Sequence, residues 1–595
     1  MLRALVLVLA IGMGVGSMAS TASATEARAT VSVDATWILG PVKPLVFGVN
    51  TASWDEQLFP GTMEDWPLTF DQDSVRKVKQ AGIRFLRYPG GNDGDRYVFD
   101  APHNSPLRMD TDEFILFCRL VGAQPSISVN YPAGPELAAR WVRYANVEKG
   151  YGVRYWEVGD EEYFSVAAVT YARQVVEFAS AMKAVDPTIR VGAGVSVARA
   201  AWTMEVLRIA GPVLDFVVYN WFPQEPRQED DARLLASTAE LRRNLQALRD
   251  MLRSAVPDRA DRIEIHIGGY NSVTGYPGPQ SVSIVNGLWT ADVLGTLLEE
   301  GVDAAGFWAL HNPYPPRGGD FGLLGATPDN PPHPSYWAFA LFTRHFGSQM
   351  VHAGSADPAL AAYASTSEDG KVLWVVLINK DPNRPRRVTL ELSGFEPAQR
   401  AQAWVLDERR TLDAMVPRPD LTEGVVVPPY AAVSLKIPAR SSMTAPVELP
   451  VASATASSSA ELGPAWGPAS AVDGDRHTRW ASRIFRDEPE WLALDLGETA
   501  EVGGLRLEWE RHALHYRIEL SADGSHWETV YETRSGAGGT ETVTFPARPA
   551  RFVRIQMLQR APGLDTSTGH STWTAGAYSL WEVTVLGAAP DGSPQ

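Results

Sequence analysis

The sequence predicts a multidomain protein: a (β/α)8 TIM barrel, then a small β-sandwich, then a C-terminal β jelly roll. Three observations lead to this fold class. The chain has 595 residues, which is too long for a single hydrophobic core. From about residue 46 to 345, short apolar runs alternate with helical patterns. After residue 345 the pattern changes to short β runs without helical periodicity.

The barrel region, 46–345, contains eight candidate strands with amphipathic helices between them. We place the strands at 46–50, 84–89, 124–130, 154–159, 190–195, 215–222, 263–268 and 304–310. Helices are predicted, for example, at Pro135–Val147, Val166–Val185 and Asp231–Ala255. Eight βα repeats in roughly 300 residues suit a closed barrel. A doubly wound open sheet is the alternative, but no glycine-rich nucleotide-binding loop follows any strand.

The remaining regions differ from the barrel in composition. An early apolar run at 29–34 predicts a strand that joins the β-sandwich. Small residues dominate the stretch between the two all-β regions, which predicts a linker. The predicted boundaries are an N-terminal strand segment at 25–45, a β-sandwich at 346–437, a linker at 438–459, a C-terminal module at 460–587 and a tail at 588–595.

The first 24 residues, 1–24, are typical of an export signal. Arg3 precedes the apolar run Ala4–Met13, and small residues then end in an A-x-A cleavage pattern at 22–24. We therefore expect a secreted protein, extracellular or periplasmic, and no later run of twenty apolar residues indicates a membrane span. Cys118 is the only cysteine, so no disulfide can form within the chain and a buried thiol is expected.

The composition argues against one class of partner and favours another. The chain has 53 Lys and Arg residues against 70 Asp and Glu, for a net charge of -17. Such an acidic protein repels phosphate backbones, so nucleic-acid binding is not expected. The chain also has 19 tryptophans and 18 tyrosines. Aromatic faces can stack on sugar rings, although many aromatic residues in a protein of this size form core.

Two of the predicted strands end in polar side chains. The second strand ends in Arg87–Asn92, with an arginine and an amide beside a glycine turn. The fourth ends in Tyr155–Glu162, which carries a cluster of carboxylates. Active sites of (β/α)8 barrels lie at the carboxyl ends of the strands. We therefore interpret these groups as facing the barrel mouth rather than as a solvated loop.

These segments resemble retaining glycoside hydrolases of the large (β/α)8 superfamily, most closely its α-L-arabinofuranosidase-like members. The resemblance covers roughly residues 30–440, with matches at Leu86–Asn92, Tyr155–Glu161, Tyr270–Ser272 and Trp308–Asn312. It implies a cleft that binds polysaccharide or glycoconjugate glycans and needs no cofactor. The predicted substrate-binding residues are Trp54, Arg87, Asn92, Asn130, Asn220, Gly269, Tyr270, Trp308 and His311.

The resemblance implies two catalytic carboxylates, an acid/base after strand four and a nucleophile after strand seven. Glu161 takes the acid/base position of a Gly-Asn-Glu motif, with Asp160 in place of the asparagine. Gly269 stands where the glutamate of a Glu-Tyr-Asn motif is expected, and Asn220 where a histidine is expected on strand six. Glu264 is a poor substitute: it lies about 15 Å back along an extended strand and should face the helices.

Glycine cannot attack an anomeric carbon, so the sequence leaves three functions open. The first is a glycan-binding protein with weak or no hydrolytic activity. The second is an active hydrolase with Glu161 as acid/base, in which Asp160 assists attack by a 2-acetamido group of the substrate. The third is an extracellular adhesion protein that binds only through its C-terminal module.

The C-terminal module carries five ordered motifs, at 471–480, 491–497, 521–527, 551–555 and 580–583. They resemble discoidin-like (factor V/VIII type C) domains, which are jelly rolls and include carbohydrate-binding modules. Many such modules hold a structural calcium ion, which prefers oxygen ligands. The resemblance implies Asp473, Asp475, Thr478 and Glu582 as ligands, and an ordinary Asp-Gly turn without an ion is the alternative. Trp466 and His512 are the predicted sugar-stacking groups.

Overall fold

The chain folds into two compact units, Met1–Arg440 and Ser441–Gln595. The computed structural model describes residues 26–59, 70–101, 109–440, 447–460, 466–475, 477–483, 489–561 and 576–587. The predicted signal peptide and the C-terminal tail lie outside the described residues. In the part of the chain that is described, every helix is too short or too polar to cross a membrane.

Eight parallel strands of the first unit form a closed barrel, as predicted. A long strand, β1 (Ala27–Pro41), precedes it. The barrel strands are β2 (Gly48–Asn50), β3 (Phe85–Tyr88), β4 (Gln124–Val129), β5 (Tyr155–Val158), β6 (Arg190–Val195), β7 (Phe216–Trp221), β8 (Glu264–Tyr270) and β9 (Ala304–Phe307). They pair in chain order, and β9 closes the barrel by pairing with β2. Nearly every side chain in these strands is buried, which explains why the strands stand out as continuous apolar runs.

Helices connect the barrel strands and cover them. They are α1 (Gln72–Gln80), α2 (Thr111–Val121), α3 (Pro135–Val142), α4 (Ala168–Val185), α5 (Ala200–Ala210), α6 (Asp231–Ala236), α7 (Thr238–Ala255), α8 (Ile284–Glu299) and α9 (Pro334–Arg344). Residues 143–148 extend α3 as a π-helical turn. The single helix predicted at Asp231–Ala255 is in fact two, because α6 ends before Ser237.

Glu264 does not face the helices, so that prediction is wrong. Its carboxylate lies 3.1 Å from Nε2 of His266, whose ring contacts Phe85 and Tyr155 of other barrel strands. The pairing register of β8 shifts between residues 267 and 270, so simple alternation does not hold along this strand. Glu264 therefore belongs to the aromatic layer at the amino-terminal end of the barrel, far from the strand ends that carry the candidate site.

The rest of the first unit is a β-rich domain with its own hydrophobic core. A short hairpin, β10 (Pro313–Tyr314) and β11 (Gly319–Asp320), lies in the loop before α9. The strands that follow are β12 (Gln349–Ser355), β13 (Leu360–Thr366), β14 (Val372–Asn379), β15 (Arg386–Ser393), β16 (Gln402–Leu406), β17 (Thr411–Ala414), β18 (Val425–Val427) and β19 (Ala431–Pro438). With β1 between β12 and β15, they form one nine-stranded sheet, so the N-terminal segment does contribute a strand.

The second unit is a β structure with a separate core. Its strands are β20 (Val447–Leu449), β21 (Ser453–Ala456), β22 (Trp480–Ala481), β23 (Glu490–Arg511), β24 (Ala513–Ser521), β25 (Glu528–Thr533), β26 (Thr540–Arg560) and β27 (Ser579–Gly587). The linker predicted at 438–459 is too long, because β20 and β21 pair with β27 and β23 of this unit. The small residues of β21 and of the stretch around it are typical of a linker in composition, so the pairing partners were needed to recognise these strands.

Candidate active site

A cleft of about 800 Å³ lies at the carboxyl ends of the barrel strands. Eight of the residues predicted from the sequence line it. They are Trp54, Arg87, Asn92, Asp160, Glu161, Asn220, Gly269 and Trp308. A concave site that combines aromatic walls with a few charged groups suits a sugar ligand.

Glu161, the predicted acid/base, follows β5 and has a left-handed backbone with φ of 60°. This conformation is uncommon for a residue other than glycine, and such strained positions occur at functional sites. Its Oε1 accepts hydrogen bonds from the Tyr163 hydroxyl at 2.7 Å and from Nδ2 of Asn220 at 3.1 Å. Burial, and then the nearby charge of Asp160, raise the pKa of Glu161 above its usual range. A raised pKa is the property that a proton donor in this position needs.

Arg87 holds the carboxylates of this strand end together. Its side chain is only 3% exposed, and it forms ion pairs of 2.7 Å with Glu157 and with Asp160. The third guanidinium contact is with Oδ1 of Asn50, at 3.1 Å. Ser128 donates a further hydrogen bond of 2.7 Å to Glu157. Sequence reasoning identified Arg87 as a substrate-binding residue and Asp160 as a catalytic one, whereas the structure joins them in one buried network.

A second carboxyl pair, Asp95 and Glu162, lies next to this network. Burial, and then the charge of Asp160, raise the pKa of Asp95 to about 6. Burial, and then the charge of Asp95, raise the pKa of Glu162 to about 8. Such a pair favours sharing one proton near neutral pH, since two adjacent buried charges repel. The sequence placed Glu162 in the acidic cluster but gave no signal that Asp95 would reach it from the loop after β3.

The end of β8 contrasts with this dense cluster because it carries two glycines. A Cβ atom added to Gly269 would meet nothing closer than 3.6 Å, where its nearest neighbour is the ring of Phe222. A Cβ added to Gly268 would lie only 2.4 Å from Val218. Oδ1 of Asn220 faces both positions, and this buried atom has no hydrogen-bond partner. Gly269 therefore leaves a niche beside Asn220, while Gly268 is closely packed.

Three predicted substrate-binding residues lie outside the cleft lining. Asn130 shapes the turn after β4, where it accepts the backbone N–H of Ala133. Tyr270 is fully buried and its ring contacts Trp289 of α8, because it follows Gly269 and points to the opposite side. His311 is also buried, with its ring nitrogens bonded to Asp55 and to another polar side chain. These three predictions are not supported as direct substrate contacts.

The cleft also contains residues that sequence reasoning missed. Phe164 and Tyr276 are 66% and 61% exposed at its rim, and the ring of Tyr276 packs on Tyr314. Glu225 adds a carboxylate that accepts a hydrogen bond from Thr274. They lie in long loops after the strands, where neither periodicity nor a motif indicated their position. Exposed aromatic rings at the rim extend the surface on which sugars could stack.

The four predicted calcium ligands of the second unit lie around one loop. Thr478 donates to Asp473 at 2.7 Å, and Glu582 accepts the backbone N–H of Gly474 at 3.2 Å. The Asp475 carboxylate accepts the N–H of a residue in the same loop. Among the described residues, however, no three His, Cys, Asp or Glu side chains are arranged to hold a metal ion. The oxygen donors suit Ca²⁺ in kind, but they do not form a ready-made metal cage.

The predicted sugar-stacking groups of this unit differ in their surroundings. One face of the Trp466 ring is covered by the Arg479 guanidinium, which lies 3.8 Å from the ring centroid. Arg479 also faces the ring of Trp581, at 4.6 Å. The ring of His512 lies against Gly538, whose Cβ position it would approach to 2.6 Å. Trp466 therefore has at most one free face for a sugar.

Comparisons with known proteins relate the two units to two different groups of proteins. Residues 453–575 match the model of the F5/8 type C domain. "Probable alpha-L-arabinofuranosidase C" of Aspergillus clavatus is 26% identical over 203 residues, which is 27% of this chain and 40% of that protein. An "Intracellular exo-alpha-(1->5)-L-arabinofuranosidase" of Streptomyces lividans is 26% identical over 36% of this chain and 39% of that protein. The matched stretches thus span about two fifths of these relatives.

Solved structures support the same fold. The α-L-arabinofuranosidase of Thermotoga maritima, solved as an arabinose complex, has a TM-score of 0.58 at 22% identity. It covers 69% of this chain and 100% of its own. The GH51 enzyme of Thermotoga petrophila gives a TM-score of 0.60 at 23% identity, over 69% of this chain and 99% of its own. The predicted relationship is confirmed: the chain is related to arabinofuranosidase-like glycosidases and carries a C-terminal F5/8 type C domain.

Proposed function

We propose that this chain is a secreted glycan-binding protein whose barrel cleft holds arabinofuranosyl-containing chains and hydrolyses them weakly or not at all. The observation that carries the proposal is the contrast within one cleft. Glu161 has the burial, hydrogen bonds and raised pKa of an acid/base, while Gly269 leaves a niche where the retaining mechanism needs a carboxylate. The names of the relatives suggest the sugar class.

Binding and turnover by the full chain test this proposal. We expect titration calorimetry to detect arabinan or arabinoxylan oligosaccharides, and to detect weaker binding of cello-oligosaccharides as the control. The same preparation should release little or no arabinose above the level of its Glu161→Gln variant. Steady release of arabinose that Glu161→Gln abolishes would contradict the proposal, and so would an absence of binding to every arabinosyl chain.

A second candidate is hydrolysis assisted by a 2-acetamido group of the substrate. It is favoured by one observation: Asp160 lines the cleft directly beside Glu161, and the Gly269 niche offers room for an acetamido group. Hydrolysis of aryl 2-acetamido-2-deoxyglycosides, with inhibition by thiazoline analogues, would support it. Absence of turnover on these substrates between about pH 4 and 8, where such a carboxyl pair can be productively ionised, would exclude it.

For the second unit we propose glycan binding supported by a structural calcium ion, held by Asp473, Asp475, Thr478 and Glu582 together with backbone carbonyls. The support is that these four side chains offer only oxygen donors around one loop, and that the unit is similar to the F5/8 type C domain. Added CaCl2 should raise the unfolding midpoint of EDTA-treated protein, MgCl2 should raise it less, and Asp473→Ala should remove the effect. An equal response of Asp473→Ala would contradict the ion site.

If the chain is instead an adhesion protein, only the second unit should contact glycans. A cleft variant of the full chain distinguishes the adhesion hypothesis from binding in the cleft. Under the adhesion hypothesis, Trp308→Ala should bind every glycan as the unaltered chain does. Loss of arabinosyl binding in Trp308→Ala supports the cleft.

A further inference from the structure

The buried guanidinium of Arg87 needs compensating negative charge, and the network around it extends to the end of β8. A cation that is 3% exposed needs anionic partners, because removal of a charge from water is costly unless it is compensated. Glu157 supplies one partner through Nε and Asp160 supplies the other through Nη2, both at 2.7 Å. The remaining contact, with Oδ1 of Asn50, is neutral. Asp160 therefore provides half of the negative charge around this arginine.

The same network extends to the glycines of β8. Nδ2 of Asn50 donates to the carbonyl of Gly268 at 2.8 Å, and a Cβ at Gly268 would lie 3.5 Å from Nε of Arg87. Asn220 connects the other side. Its Nδ2 lies 3.4 Å from Oδ1 of Asp160, and its Oδ1 would lie 3.7 Å from a Cβ at Gly269. A carboxylate at position 269 would therefore enter the surroundings of the groups that Asp160 now contacts.

The two departures from the glycosidase pattern balance each other in charge. The pattern has a neutral amide at position 160 and a carboxylate at 269, whereas this chain has a carboxylate at 160 and no side chain at 269. We propose that Asp160 is a positioning residue that supplies the negative charge missing at 269, so that the two changes are coupled. This inference rests on the proposed function only in taking position 269 as that of the nucleophile.

A consequence follows for any attempt to restore hydrolysis. Gly269→Glu alone would add a carboxylate beside Asn220, whose amide already contacts Asp160. The charge of Arg87 is already neutralised by Glu157 and Asp160. Like charges at this distance repel, so the new glutamate would be protonated or displaced. The single variant should therefore stay inactive, and Asp160→Asn should be needed together with Gly269→Glu.

A double-variant cycle in the full chain tests the coupling. The variants are Asp160→Asn, Gly269→Glu and the double, with Asp160→Asn/Gly269→Gln as the control of equal size but no charge. We expect each single variant to lower the unfolding midpoint of the first unit by roughly 5 °C, and the double variant to recover most of the loss. The glutamine control should not recover it. The double variant should also hydrolyse aryl arabinofuranosides, which Gly269→Glu alone should not.

Each outcome decides the inference. Additive midpoint shifts, or equal recovery with the glutamine control, would overturn it, because charge would then not be the coupled property. If Asp160→Asn cannot be obtained as folded protein, recovery of soluble protein in the double variant supports the inference, and failure of both overturns it. Recovery of stability without arabinofuranoside hydrolysis keeps the coupling and instead counts against position 269 as the nucleophile site.

Discussion

Two strand ends line the same cleft and differ in almost every respect. At the end of β5, each carboxylate has partners: Glu157 and Asp160 share Arg87, and Glu161 accepts two hydrogen bonds. At the end of β8, Gly269 has neither a side chain nor close neighbours. The carboxylates at the end of β5 are part of the folded core, so they also contribute to stability. The end of β8 could lose a catalytic side chain without disturbing the packing around it.

The largest loss of stability should come from removing the cation at the end of β5. Arg87→Met removes the cation and leaves two carboxylates buried beside each other, so we expect a loss of about 3–5 kcal/mol in the free energy of unfolding. Arg140→Met is the matched control, because the ion pair of Arg140 with Asp100 is exposed and should contribute at most about 1 kcal/mol. Urea denaturation of both variants measures the difference. Similar losses of unfolding free energy in the two variants would show that the β5 network stabilises the fold no more than an exposed ion pair does.

The two glycines of β8 should respond very differently to the same change. Gly268→Ala forces a methyl group to within 2.4 Å of Val218 and should cost about 1–3 kcal/mol. Gly269→Ala meets only ordinary contacts and should change stability by less than about 0.5 kcal/mol. Denaturation midpoints of the two variants, compared side by side, provide the measurement. A large loss in Gly269→Ala would mean that the niche is not open.

Aromatic residues should contribute to oligosaccharide binding according to their depth in the cleft. Trp308 lies at the end of the eighth barrel strand, whereas Tyr276 is 61% exposed at the rim. Because deeply placed aromatics dominate binding energy and rim residues contribute little, Trp308→Ala should weaken arabino-oligosaccharide binding about tenfold or more. Tyr276→Ala should weaken it by less than about threefold. Calorimetric titrations that gave the reverse order would place the sugar in the rim region.

The smallest effect should be a change in the pH dependence of stability. The pKa of Asp95, about 6, and that of Glu162, about 8, lie above the ordinary carboxyl value of about 4. The folded chain therefore binds more protons than the unfolded chain in this window, and the pair's contribution to stability is lost as pH rises from about 4 to 8. Glu162→Gln, whose amide can donate to Asp95 without a titrating proton, should flatten this decline.

Thermal unfolding at several pH values checks this prediction. Glu136→Gln, at an exposed position of α3, is the control and should leave the slope unchanged. An unchanged slope in Glu162→Gln would show that Asp95 and Glu162 do not share a proton.

The sequence predicted the barrel well because its strands are buried on both faces, and such strands appear as continuous apolar runs bounded by turns. Of the predicted site residues, Glu161 and Gly269 do line the cleft, and each was found because it falls inside a recognisable motif. Prediction from the sequence failed where position depends on tertiary packing. The register shift in β8 reversed the expected direction of Glu264, and Tyr270 turned toward α8. Asp95 reaches Glu162 from another loop, which no local pattern could indicate.

The central claim is that the cleft keeps its acid/base and lacks only a nucleophile, and anion rescue tests it most directly. Because the charge of Asp160 would also repel a small anion, the Asp160→Asn variant of the full chain is incubated with 2,4-dinitrophenyl α-L-arabinofuranoside, with and without azide or formate. Since the leaving group needs no proton, we expect turnover that depends on the anion, yields the arabinosyl azide and persists in Glu161→Gln. With an aryl arabinoside of poor leaving ability, rescue should require Glu161. Turnover that proceeds without anions, or no rescue on any aryl arabinoside, would contradict the account.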